Sequence, residues 1–174
     1  MKSVFLTLLA SSMSLVSLQA VSKADVEINW QNPENYRDVT PTAQTRKSFR
    51  EQVFSQLGEY MEKLAETLPD QQKLQITVTN LDLAGQVWPA SFVGLGNSAS
   101  DVRIIKNIDI PRISFSYSLQ TNGNEVLKQG EVELKDMAFM DRPSRFFDSD
   151  NLRYEKTMLK DWFEETFPVE VAKN

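Results

Sequence analysis

From Arg112 to Leu119 apolar and polar side chains alternate without a break. Ile113, Phe115, Tyr117 and Leu119 share one parity; Arg112, Ser114, Ser116 and Ser118 share the other. A period of two belongs to an extended strand with one face buried and one face wet. Thr121-Asn122-Gly123-Asn124 follows, and Asn-Gly suits the positive φ angles of a tight hairpin turn. A second strand is then expected from about Val126 to Met137, with Val132 and Leu134 apolar between Glu131, Glu133 and Lys135. Its phase slips between Leu127 and Gly130, where the glycine is read as a bulge. This hairpin, within 109–139, is the expected centre of a sheet. It specifies a fold well and a chemistry hardly at all.

The flanking segments fit around it. Val26, Ile28 and Trp30 alternate with Glu27, Asn29 and Gln31, which predicts a half-buried first strand ended by Asn32-Pro33. A helix capped at Thr42 is expected to run to about Leu68. Along it Phe49, Val53, Leu57, Tyr60, Leu64 and Leu68 recur at helical spacing. Leu74, Ile76 and Val78 alternate again as a strand. The stretch from Gln86 to Ser100 has no period, yet it carries Val87, Trp88, Phe92, Val93 and Leu95. Val102 to Ile105 reads as a short edge strand. Ser149 or Asp150 caps a last helix, with Leu152, Glu155, Met158 or Leu159, Trp162 and Phe163 on its apolar side and Pro168 closing it. The tail from about 169 is expected to be loose. The fold class is therefore α+β: an antiparallel sheet of about four strands with two helices packed on one face. Residues 25–174 form one domain.

The first 24 residues stand outside that domain. Met1-Lys2 is a short basic start, Val4 to Leu18 is apolar but broken by serines, and Ser22-Lys23-Ala24 supplies small residues for cleavage. This is the pattern of a secretory signal peptide, cut after Ala24 with Ala20 as the alternative. A spanning helix needs roughly 20 mostly apolar residues, so no membrane insertion is expected after processing. The chain has neither cysteine nor histidine. A lipidated cysteine, a disulfide framework, thiolate chemistry and the commonest metal ligand and general base are excluded together. Without Lys2 and Lys23 the chain keeps 17 basic against 24 acidic residues, a net charge near −7, which disfavours nucleic acid and anionic lipid as partners. Export of such a chain points to the periplasm of a Gram-negative bacterium, with secretion as the alternative.

Three patterns suggest chemistry and two fail at once. Gly94-Leu95-Gly96-Asn97-Ser98-Ala99 fits G-x-G-x-x-A, but Pro111 arrives too soon for the crossover helix that a dinucleotide site requires. Asp148-Ser149-Asp150-Asn151 opens like a calcium loop, but Arg153 and Leu159 stand where such a loop needs Gly and Glu. No metal or cofactor is expected. The third is a carboxylate pair: Asp82 and Asp136 fall near strand ends, and such a pair is what an envelope-glycan hydrolase would use. Turn capping and pairing with Arg112, Arg142 or Arg153 explain the same residues without catalysis. Trp88, Phe92 and Leu95 form the candidate binding site, since aromatic residues on a loop often serve as anchors; burial over the sheet is the competing reading.

Several segments together resemble a known family. They are Ile28-Asn29-Trp30 to Tyr36-Arg37-Asp38, Asp82-Leu83-Ala84-Gly85, Pro111-Arg112-Ile113-Ser114-Phe115-Ser116-Tyr117, Leu134-Lys135-Asp136-Met137-Ala138-Phe139, and Tyr154-Glu155-Lys156 to Trp162. The chain resembles the domain of unknown function 3016 family, exported proteins of Gram-negative bacteria. The resemblance implies export and a single domain, and no catalytic residue follows from it. The function expected is a non-catalytic envelope module binding a protein or a cell-wall or outer-membrane component. The alternatives are the carboxylate hydrolase and a small-ligand carrier with the Trp88 loop as lid.

Overall fold

The computed structural model describes residues 24–97, 99–142 and 150–168. The central hairpin consists of β5 (Arg112–Thr121) and β6 (Val126–Lys135), paired antiparallel. Ile113, Phe115, Tyr117 and Leu119 are buried while Ser114, Ser116 and Ser118 look to the open side, as their alternation predicts. The turn differs in detail. Thr121 N–H bonds Glu125 O at 2.9 Å and Asn124 N–H bonds Thr121 O at 2.9 Å, closing a three-residue loop. Asn124, at φ 62°, rather than Gly123, takes the left-handed position that such loops need. The bulge also moves. Gln120 pairs with Val126 and Leu119 with Lys128, so Leu127 is the extra residue. Gly130 pairs regularly with Tyr117, and a Cβ there would stand 3.1 Å from Tyr117 Cε1. Glycine is there to make room for a ring.

β1 (Asp25–Trp30) and β2 (Gln72–Asp82) complete a four-stranded sheet in the order β1-β2-β5-β6. The expected antiparallel sheet is corrected at one edge: β1 pairs with β2 in parallel. The helix α1 (Arg46–Ala65) lies between them and carries the chain back to the end where β1 began, so β2 must run the same way. The sheet is mixed. A second, two-stranded sheet joins β3 (Gln86–Trp88), in the stretch without a period, antiparallel to β4 (Val102–Ile104), the short edge strand expected there.

The helices α1 and α2 (Arg153–Thr166) cover the buried face. Trp30 stacks on Phe54 with centroids 4.2 Å apart, pinning α1 to β1. Trp162 of α2 meets Phe115 edge-to-face at 4.7 Å and Tyr117 at 5.3 Å. Such aromatic pairs add about 0.5–1.5 kcal/mol each to the burial of their area. The cap of α1 is Thr45, not Thr42: Ser48 N–H donates to Thr45 Oγ1 at 3.2 Å. At α2 Asp150 Oδ1 accepts the Leu152 N–H at 2.8 Å, while Ser149, all of the signal segment 1–24 but Ala24, and the tail from 169 lie outside the described residues. No described helix is long and apolar enough to cross a membrane.

Candidate functional site

The site is built where β2 hands over to the small sheet. After Asp82 the chain runs through Leu83 and Ala84 to Gly85, which sits at φ 75°. A Cβ on Gly85 would stand 2.5 Å from Ile104 O, so only glycine lets β3 approach β4 this closely. β4 then presents Arg103. Its Nη1 donates to Ala84 O at 3.2 Å and Gly85 O at 2.9 Å; its Nη2 donates to Asp38 O at 2.7 Å and Thr40 O at 2.9 Å. Burial lowers its pKa, and the Asp38 and Glu155 charges work the other way. Guanidinium remains a cation throughout the accessible range.

Glu155, on the first turn of α2, is only 1% exposed. Its Oε1 accepts the Ala84 N–H at 2.8 Å, and its Oε2 has no hydrogen-bond partner among the described residues. Burial raises its pKa; the bond from Ala84 and the charge of Arg103 offset part of that. A helix residue and a loop residue are thereby fastened together across 71 positions of chain. The segments Tyr36-Arg37-Asp38, Asp82-Leu83-Ala84-Gly85 and Tyr154-Glu155-Lys156 all meet around this point.

Beside them opens a cleft of about 560 Å³, within the usual range for small-molecule sites. One wall is apolar: Phe49, Val53, Leu83, Ile105 and Leu152. Thr40, Thr42, Gln44, Gln52, Gln56 and Asn151 add hydroxyls and amides, and Arg103 and Arg153 add charge. Arg153 lies 4.4 Å over the Tyr154 ring and donates to Asp150 O at 3.3 Å and Tyr154 Oη at 2.9 Å. Among the described residues no carboxylate lines the cleft. It offers anchoring groups without an acid–base pair.

The carboxylates singled out in the sequence lie elsewhere. Asp82 is buried and receives Arg112 Nη1 at 3.1 Å. Its pKa is nonetheless raised, because burial outweighs the arginine. Asp38 is raised as well, first by burial and then by Asp82. Asp136 Oδ1 accepts the Ala138 N–H at 3.0 Å, and Arg142 Nε stands 3.7 Å from its Oδ2. Asp82 and Lys135, the residue before Asp136, pair with Arg112 from opposite sides, so β5 separates the two carboxylates. Each is accounted for by turn capping or by an arginine. Among the described residues no group of three His, Cys, Asp or Glu could hold a metal ion. Gly94 and Gly96, both at φ 79°, follow a short 3-10 turn, with β4 beyond rather than a helix.

Trp88, Phe92 and Leu95 are not gathered into one surface. Trp88 is half-buried on β3, with Lys106 Nζ 4.8 Å over its ring. Phe92 and Leu95 project from the next turn, 78% and 56% exposed, anchored by buried Ala90. Sequence reading missed Arg103, Arg153 and Glu155 because they come from separate segments with no shared spacing. The signals available were Glu155, a carboxylate on the apolar side of the last helix, and Gly85 at the end of a strand.

No curated protein and no solved structure matches the chain. One family model does match, over residues 24–165, from before β1 to the penultimate residue of α2. The chain therefore belongs to the family described as Protein of unknown function (DUF3016).

Proposed function

We propose that this chain is an exported, non-catalytic binding module of the Gram-negative envelope, and that it holds its ligand in the cleft between α1, the 40–44 loop and the start of α2. The observation that carries this reading is the lining: amides, hydroxyls, arginines and an apolar wall, with no carboxylate among them. Such a set can grip and orient a molecule, and it has no general base to activate one. The periplasmic location is supported by the pattern of residues 1–24 and by the lack of cysteine. The hydrolase alternative loses support because Asp82 and Asp136 are each engaged by an arginine. A protein partner is the second reading, favoured by the exposure of Phe92 and Leu95.

Native mass spectrometry of the protein recovered from intact cells tests the cleft. Gln52 is exposed on α1, so Gln52→Trp should fill the cleft without disturbing the core. The natural chain is expected to carry a bound small molecule that the variant lacks. A ligand-free natural chain, or the same bound mass in both, would refute the cleft as the binding site.

A further inference from the structure

We infer that the cleft selects an organic anion: a carboxylate or phosphate group carried on an apolar body. The inference rests on the cleft being the binding site and adds the chemistry of its ligand.

Two cations of the cleft have no carboxylate paired with them among the described residues. Arg103 spends four of its donors on backbone carbonyls, and Arg153 donates to one carbonyl and one phenol oxygen. Neither arginine has a carboxylate within ion-pair distance among the described residues, although arginines elsewhere in this acidic chain do: Arg112 with Asp82, Arg142 with Asp161. The acidic groups that act on Arg103, Asp38 and Glu155, lie outside the lining. Asp150, beside the α2 end of the cleft, is taken up by Lys156.

The start of α1 points the same way. Residues just before and along its first turns line the cleft, and that first turn holds Arg46 with no acidic residue, while Lys47 beside it pairs with Glu51 at 3.8 Å. A helix N-terminus already carries partial positive charge, so cations there are of like sign to the dipole. Arg46 precedes Phe49 by three residues and so shares its side of the helix. By contrast, the hollow between β1 and α1 sets Asp25, Glu59, Glu62 and Glu66 against the one cation Lys63. The lining of the cleft carries cations and no carboxylate, and that of the hollow carries mostly carboxylates.

The two arginines have different roles. With four donors committed, Arg103 is a positioning residue that fixes the cleft wall and contributes its field. Among the described residues, three of the five N–H donors of Arg153 have no partner, which suits a forked contact to carboxylate or phosphate. The apolar wall of Phe49, Val53 and Leu152 would take the body of the ligand.

The test is calorimetric titration of the mature chain with octyl phosphate, octanoate, inorganic phosphate and octyl glucoside. The two amphiphilic anions are expected to bind about tenfold or more tighter than octyl glucoside and inorganic phosphate, and more weakly as salt is raised past about 0.15 M. Arg153→Gln should weaken the anions about tenfold while leaving octyl glucoside unchanged, and Arg153→Lys should recover part of the loss. Whichever of octyl phosphate and octanoate binds more tightly identifies the anionic group. Octyl glucoside binding as tightly as the anions, with Gln52→Trp abolishing both, would overturn the inference and leave the cleft reading standing. Anion binding that Gln52→Trp does not reduce would overturn both. If Arg153→Gln fails to fold, anion binding indifferent to salt and to Arg153→Lys would overturn the inference alone.

Discussion

Replacing Glu155 by glutamine should make the protein more stable at neutral pH. The carboxyl is fully enclosed, and burial holds its pKa above the ordinary 4.5. A pKa raised in the folded state means that the folded chain binds the proton more tightly than the unfolded one. Stability is then fully present below about 4.5 and is lost as pH rises toward the folded pKa. One proton of difference sets the limiting slope at about 1.4 kcal/mol per pH unit across that window. Glutamine reproduces the shape of the protonated acid: its Oε1 can still accept the Ala84 N–H, at 2.8 Å in the natural chain, and it cannot ionise. Urea unfolding at intervals from about pH 4 to pH 8 measures the effect. The two proteins should be equally stable at the acid end, and the variant should gain progressively above it. Asp38 and Asp82, whose pKa values are also raised, contribute equally to both curves and cancel in the difference. Glu155→Ala separates charge from hydrogen bonding. It strands the Ala84 N–H and should be about 1–3 kcal/mol less stable than Glu155→Gln at every pH. Parallel curves for the natural chain and Glu155→Gln would refute the reasoning, because the carboxyl would then be no harder to ionise folded than unfolded.

Phe115→Ala, in the core at 3% exposure and against Trp162, should cost about 3–5 kcal/mol in urea melts, and Ser116→Ala on the open face less than about 0.5. Equal losses would mean that the central strand faces the other way. Trp88→Ala should cost about 1–3 kcal/mol through lost burial and the Lys106 contact, whereas Phe92→Ala should leave the melting temperature nearly unchanged. The intact mass of the exported protein is expected to show a chain beginning at Asp25, the first residue of β1; a start at Val21 would instead retain the buried Ala24.

What could be read in advance depended on how local the cause was. The alternation in β5 and the stripe of α1 state their own burial, because each residue's facing follows from its neighbours two or four positions away. The parallel sense of β1 escaped that kind of reading, since Val26, Ile28 and Trp30 alternate identically whichever way the strand runs. It follows instead from the helix placed between β1 and β2. β3 escaped because a strand of three residues is too short to display a period, and Thr45 because Thr42 is chemically the same cap three positions earlier. The cleft is the extreme case. Its arginines stand 50 residues apart in the chain and acquire a common role only when Gly85 lets β4 close against the end of β2. Trp88, Phe92 and Leu95 were noticed for being apolar where nothing demanded it, a criterion blind to polar residues gathered from a distance.

The hydrogen bonds of Arg103 have a consequence for how this chain is secured. With no cysteine it cannot lock its loops covalently, yet one guanidinium reaches residues 65, 63, 19 and 18 positions away. In the folded state these bonds hold loops of that length closed, and unlike a cross-link they leave the unfolded chain unrestricted. Lysine could not take its place, since an ammonium offers three donors from a point and not a planar fork. All four acceptors are carbonyl oxygens, which neither titrate nor exchange electrons. The clasp therefore requires no oxidant to form and yields to no reductant, and the folded chain should be indifferent to the thiol balance of whatever compartment it occupies.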